Sequence, residues 1–321
     1  MLKTRMTELL GIEYPIQCGT MMSVSKPELV AAVANAGGLA CLAAAIYPTQ
    51  EELTEAIEKT RRLTNRPFGV NISLFPALMP QPPEEMLETI IRAGVKILET
   101  AGRSPQPYRE TISKAGMVHI HKCARVRDAI KADGMGVDIV SIVGTECGGH
   151  PSMEKVTSLV LIPKAAAKIK APLIAGGGFG DGRTLLAALA MGAEGINMGT
   201  RFLATQESPL HQAAKAKIIE SGEAETVLVL ESLMNPARVL KTPWSEKIVE
   251  MERGGASLEE LAPMISGMVS FKGWTSGDLS EGIYPMGQIV GLIDDIPTVA
   301  ELIKRTVEEA METKKRLDQL T

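Results

Sequence analysis

With 321 residues, 45% of them hydrophobic and 22% charged, the chain can bury a large core and fits one sizeable α/β domain or two smaller ones. A net charge of −4, with Lys and Arg scattered among Asp and Glu, leaves no basic stripe for nucleic acid, and 3% aromatic content gives no base-stacking platform. The opening MLKTRMTELLGIEYPI has no apolar signal core and no run approaches a membrane span, while Cys18, Cys41, Cys123 and Cys147 form no C-x-x-C pair. The expectation is a cytoplasmic protein with no membrane segment, structural zinc or disulfide framework.

Residues 15–19 read as a first strand. Residues 26–37 read as a helix, with Leu29, Val30, Val33 and Ala34 at helical spacing, Ser25 as N-cap and Gly37 just past the end. Strand two follows at 39–44. A helix at 49–63 carries a possible capping box of Thr49 and Glu52, and strand three lies at 68–74. The proline-rich FPALMPQPP at 75–83 exceeds the usual length of a βα connection and is expected to act as a lid if it faces a ligand. Helix 84–94, strand 95–100, helix 107–116 and strand 117–122 continue the alternation; on that strand His119 and His121 are expected to divide between the helix side and the barrel side. Helix 126–136, strand 137–143 and helix 159–169 come next.

Residues 171–202, APLIAGGGFGDGRTLLAALAMGAEGINMGTRF, then form a β-α-β unit with a glycine turn after each strand. Glycine lets a ligand approach the backbone and leaves amides free, so two such turns side by side can hold a phosphate. Eight strand-helix alternations argue for parallel pairing. Glycine turns at units seven and eight, rather than in the first unit, favour a (β/α)8 TIM barrel over a doubly wound sheet. The alternation lapses from 207 to about 291, where both Trp244 and Trp274 lie, and a last helix covers 298–317. The expected division is a barrel of 1–206 plus 292–321, with a small, mostly helical insertion at 207–291 that flanks or covers the site.

Function should sit at the strand ends of such a barrel. Those ends supply Gly19, Thr20, Met21 and Met22; Asn71; Thr100, Ala101 and Gly102; Lys122 and Cys123; the run 146–150; Gly176, Gly177 and Gly178; and Gly199 with Thr200. This set holds one phosphate site, one cation, one imidazole and few carboxylates. A metal hydrolase would want more His, Asp and Glu, so no metal is expected; a cofactor with its own reactivity fits better. Cys123 and Cys147 read as small buried thiols.

The runs AVANAGGL (32–39), RPFGVN (66–71), HKC (121–123), ECGGHP (146–151), AGGGFGDGR (175–183) and NMGTRF (197–202), with MGQIVGLIDD (286–295), resemble the nitronate monooxygenase (2-nitropropane dioxygenase) superfamily, most closely its FMN-dependent NADH:quinone reductases. The resemblance implies an FMN-bearing barrel. By position, Gly176, Gly177, Gly178, Gly199 and Thr200 would hold the FMN phosphate, Asn71 and Lys122 would meet the ring, Met21 and Met22 would line it, and Gly149 would let the chain pass tightly over it. His150 matches the active-site histidine. Lys122 would stabilise negative charge on the reduced ring, and His150 would exchange a proton with substrate.

Two departures bear on the acceptor. The turn after strand one has Met22 where an amide is usual, and in the proline-rich loop Pro76 matches a gate-like proline while Leu78 replaces a polar residue, so the pocket is expected to be more apolar. The resemblance implies hydride transfer from NADH or NADPH to FMN and on to a small-molecule electron acceptor, foremost a quinone. The alternatives are nitronate oxidation with oxygen and reduction of an enoyl thioester; a flavin-binding protein without activity is a further reading. A homodimer contact through the insertion is compatible with all of them.

Overall fold

The computed structural model describes residues 2–75 and 81–320, so Pro76 and Leu78 lie outside the described residues. Eight strands form a closed parallel barrel in sequence order: β1 (Ile16–Cys18), β2 (Leu39–Ala43), β3 (Gly69–Ser73), β4 (Ile97–Ala101), β5 (Val118–Cys123), β6 (Ile139–Val143), β7 (Leu173–Gly176) and β8 (Gly195–Met198). Closure is direct, with Ile16 to Cys18 registered against Ile196 to Met198. The strands are buried almost throughout because helices cover their outer faces and side chains fill the interior. The fold is the TIM barrel expected from the alternation.

Local signals account for most helix ends. Pro27 and Pro83 open their helices, where a missing N–H costs nothing. Asp181 caps Gly182–Ala190 with a reciprocal Thr184 bond, and Gly37 takes φ +87° just past Pro27–Asn35. Two cap expectations are corrected. The N-cap before Pro27 is Lys26, without a side-chain bond, because the Ser25 hydroxyl instead accepts from the Met21 amide at 2.9 Å. Thr49 does accept from the Glu52 amide at 3.2 Å, but no return bond completes a capping box.

A short helix that the sequence reading did not anticipate, Arg5–Leu10, seals the N-terminal end of the barrel. Its Met6 and Leu10 pack on Leu39, Ile97, Ile120, Ile139 and Ile174. At the chain's end, Val299–Asp318 lies against Gly182–Ala190, and a side chain at Gly182 would run into the backbone of Thr306 and Ala310. Close approach of two helices therefore requires this glycine.

Between them, the region from residue 207 to residue 291 is largely helical, with Gln212–Ile219, Pro243–Arg253, Leu258–Leu261 and Gly267–Ser276. It also holds an antiparallel pair, β9 (Thr226–Val229) and β10 (Ala237–Leu240), which its composition did not reveal. Val229, Val239, Ile248, Leu261 and Met264 give this region a small apolar cluster of its own, with the Trp244 indole donating to the Met264 carbonyl at 2.8 Å. Trp274 instead joins the main core, edge-on to Tyr284 at 4.7 Å.

The expected division of His119 and His121 between two faces is wrong. Both rings meet the Thr100 hydroxyl, at 2.8 and 2.9 Å, on one side of the sheet. Strand side chains alternate with period two, so residues two apart share a face. Lys122, on the opposite face, points into the barrel.

Candidate active site

At the C-terminal ends of the strands the barrel opens into a cavity of about 350 Å3. Its wall includes Met21, Met22, Asn71, Lys122, Gly149, His150, Gly177, Gly178, Gly199 and Thr200. Gly176 is outside it. As the last residue of β7 it packs against β6, where an added Cβ would lie 2.6 Å from the Val143 side chain. Trp274, Pro285, Gly287 and Ile289 add a wall from the late part of the chain. A separate groove between Arg125, Val160 and Lys164 lies outside the barrel mouth and contains none of these groups.

The two glycine turns meet at one side of the cavity. Gly177 and Gly178 take φ of +89° and +82°, a left-handed turn that only glycine adopts without strain. Beyond Gly178 the nearest atom to an added Cβ is Glu146 Cβ at 3.6 Å, and beyond Gly199 it is Met21 Sδ at 3.8 Å, so both backbones face open space. Among the described residues the amides of Gly177, Gly178 and Gly199 have no hydrogen-bond partner. The Glu146 carboxylate, also on the cavity wall, is held by Ser158: it accepts from the Ser158 amide at 2.9 and 3.0 Å, while the Ser158 hydroxyl donates to the Gly177 carbonyl at 2.6 Å. Thr200 Oγ1 accepts from the Gly287 amide at 2.9 Å, which ties the second turn to the late segment.

The cavity floor is polar and centres on a residue that strand-end reasoning passed over. Glu99, on β4, is fully buried. One of its oxygens accepts from Gln17 Nε2 at 2.6 Å, and the other from Thr20 Oγ1 at 2.9 Å, Asn71 Nδ2 at 2.7 Å and Lys122 Nζ at 3.3 Å. Three residues singled out at strand ends, Thr20, Asn71 and Lys122, thus share one carboxylate. The signal was present as a lone acid in the buried run ILETA, since an acid is rarely fully buried unless paired. Next to this network Gln17 Oε1, Ser141 Oγ and Asn197 Oδ1 are buried without partners.

His150 stands at the mouth. Its loop is fixed by a two-bond bridge in which the Gly149 amide donates to the Arg238 carbonyl at 3.0 Å and the Arg238 amide donates back at 2.6 Å. The Phe75 ring leans on the imidazole with centroids 5.3 Å apart. Desolvation by the surrounding protein walls lowers the imidazole's pKa below its usual value, although the residue stays exposed at the cavity mouth. Cys123 is buried as expected, whereas Cys147 is half-buried on the cavity wall; desolvation pushes both thiols up to about 12, which keeps them protonated and poorly nucleophilic. Among the described residues no group of three or more His, Cys, Asp or Glu side chains is arranged to hold a metal ion, and no helix is long and apolar enough to cross a membrane.

Comparison with known proteins places this site in a lineage. Over 99% of its length the chain is 34% identical to a Rhodococcus jostii protein named (3aS,4S,5R,7aS)-5-hydroxy-7a-methyl-1-oxo-octahydro-1H-indene-4-carboxyl-CoA dehydrogenase, 98% of which is covered. A probable nitronate monooxygenase of Staphylococcus saprophyticus is 31% identical over 78% of the chain and 82% of its own length. Among solved structures, FabK from Thermotoga maritima superposes with a TM-score of 0.92 at 35% identity over the whole of both chains. The nitronate monooxygenase family matches residues 3–309. The chain belongs to the nitronate monooxygenase family and is an oxidoreductase.

Proposed function

We propose that this protein is an FMN-dependent oxidoreductase that passes electrons from NADH or NADPH to the activated C=C bond of an enoyl thioester. The observation that carries the cofactor is the cluster of free amides at Gly177, Gly178 and Gly199, facing the same cavity as Lys122 and His150. Those amides and the Thr200 hydroxyl bind the terminal phosphate, whose charge and acceptor oxygens match their positive ends. Asn71 and Lys122 orient the polar edge of the ring, and the partnerless Ser141 and Asn197 oxygens nearby are suited to polar contacts directly or through water. Met21 and Met22 supply apolar contact, and Gly149 lets the loop cross close by. Bound there, FMN supplies a ring system that takes up and returns two electrons, gaining negative charge as it is reduced.

The thioester reading is supported by the Rhodococcus relative, whose name specifies a carboxyl-CoA substrate. His150 is placed to handle the accompanying proton. With its pKa lowered the imidazole rests neutral near pH 7; in the oxidative direction it takes a proton from the acidic carbon beside a thioester carbonyl, and in the reductive direction it relays to that carbon a proton drawn from solvent. Nitronate oxidation is the second reading, favoured by the family match and the Staphylococcus relative. A quinone acceptor, foremost in the sequence reading, is not named for any of these relatives.

Anaerobic stopped-flow mixing of FMN-loaded protein separates the cases. Bleaching by NADH or NADPH, followed by reoxidation with an enoyl-CoA but not with a quinone, is the expected result. Bleaching by a nitronate and by neither nicotinamide would replace this reading with the second, and a chain that binds no FMN would remove both.

A further inference from the structure

The buried carboxylate of Glu99 has no place in the proposed roles so far, yet more of the cavity floor is attached to it than to any residue assigned there. We propose that Glu99 is a positioning and charge-setting residue for bound FMN: it holds Asn71 and Lys122 at the floor and offsets the lysine's charge, so that the flavin is harder to reduce than the lysine alone would make it. This inference rests on the FMN reading above.

Three observations support it. First, the carboxylate accepts four hydrogen bonds, three of them on one oxygen and from three different strand ends, following β1, on β3 and on β5. A single acceptor thereby fixes the amide of Asn71 and the ammonium of Lys122 relative to each other, which long side chains on separate strands would not do unaided. Second, Lys122 has a counter-charge at 3.3 Å, with side-chain exposures of 19% for the lysine and 0% for the acid. Screening by water is weak at such a site, so the two charges act on a neighbouring ring nearly as a neutral unit. Third, the network can absorb a change in the acid. Gln17 Nε2 donates to one Glu99 oxygen while Gln17 Oε1 has no partner. If residue 99 became an amide, a flip of the Gln17 amide would present that idle oxygen to the new N–H2 donor without a new cavity, and the one partnerless position on Gln17 would pass from its oxygen to its nitrogen.

The test measures the two-electron midpoint potential of bound FMN at neutral pH, together with FMN affinity by fluorescence titration, in wild type, Glu99→Gln, Lys122→Met and the double variant. Removing the negative charge alone should shift the redox equilibrium at least tenfold toward the reduced form, a rise of about 30 mV. Removing the positive charge alone should shift it the other way, and the double variant should return close to wild type. An unchanged or lower potential in Glu99→Gln would overturn the proposal, because a purely structural role would misplace Lys122 and lower the potential. If Glu99→Gln does not accumulate as folded protein, the double variant contains no unpaired buried charge; a potential no higher than that of Lys122→Met would then overturn the proposal. Wild type that binds no FMN defeats the cofactor reading itself, whereas wild type that binds FMN with charge-independent potentials defeats only the role of Glu99.

Discussion

On the inner face of the barrel, one level contains Leu39, Ile97, Ile120, Ile139 and Ile174, sealed by Met6 and Leu10. Two residues further along the same strands come Cys41, Glu99, Lys122, Ser141 and Gly176. Apart from Lys122, these positions are buried at both levels, so exposure does not distinguish them. Chemistry does. The lower level is apolar and complete in itself, while the upper one carries an ion pair and, with Gln17 and Asn197 beside it, several polar atoms without partners. Each such atom costs the fold, so the upper level contributes less to stability than the lower one.

The outward face of β4 and β5 offers the largest challenge to that separation. Burial, foremost, depresses the pKa of His119 to about 3 and of His121 to about 4. Both are neutral when folded and gain protons on unfolding once the pH is below about 6.5, so their contribution is complete above that value and is lost as the pH falls toward 4. Denaturant titrations should show a loss of up to about 4 kcal/mol between about pH 6.5 and pH 5. A stability constant across that window would mean that the outer face is not the pH-sensitive one.

Within the barrel, Ile97→Ala in the lower level should cost about 3 kcal/mol in urea unfolding, from lost burial and the cavity left behind. Ser141→Ala, one level up, should stay within about 1 kcal/mol because its hydroxyl has no partner to lose. Equal costs would erase the contrast between the levels. At the mouth, His150→Ala should keep FMN bound and leave stability nearly unchanged while lowering kcat about a hundredfold; unaltered turnover would reduce the imidazole to packing. A milder effect than at His150 is expected at Gly199→Ala. Its φ of −98° and the open space beside it allow a methyl group, so folding should be normal while FMN affinity, read by fluorescence, falls about tenfold. Unimpaired affinity would remove Gly199 from the phosphate site.

The barrel was legible because a strand buried on both faces leaves a short apolar run, and a helix between two such runs leaves a 3.6-residue period. Asp181, Gly37 and the paired glycine turns added punctuation with a mechanism behind each. Glu99 was harder to see, because strand-end reasoning starts at the last residues of a strand while the acid lies two positions before the end of β4. Its importance comes from Gln17, Thr20, Asn71 and Lys122 converging from other strands, a fact of closure rather than of local pattern. The plug helix escaped for a similar reason: its six residues carry little amphipathic signal, and the open barrel end that they fill exists only once eight strands have met. β9 and β10 are short strands within helical surroundings, and their pairing is visible only in three dimensions.

The bridge from Gly149 to Arg238 couples two stretches of chain that lie far apart in sequence. It gives the loop that bears His150 two owners, one foot standing on the barrel and the other on an edge of the late sheet. A change of backbone course in the late segment at Arg238 would therefore also shift the footing of the imidazole on the barrel. A late segment grafted onto this barrel would therefore have to reproduce the Arg238 backbone bonds to keep His150 where it stands.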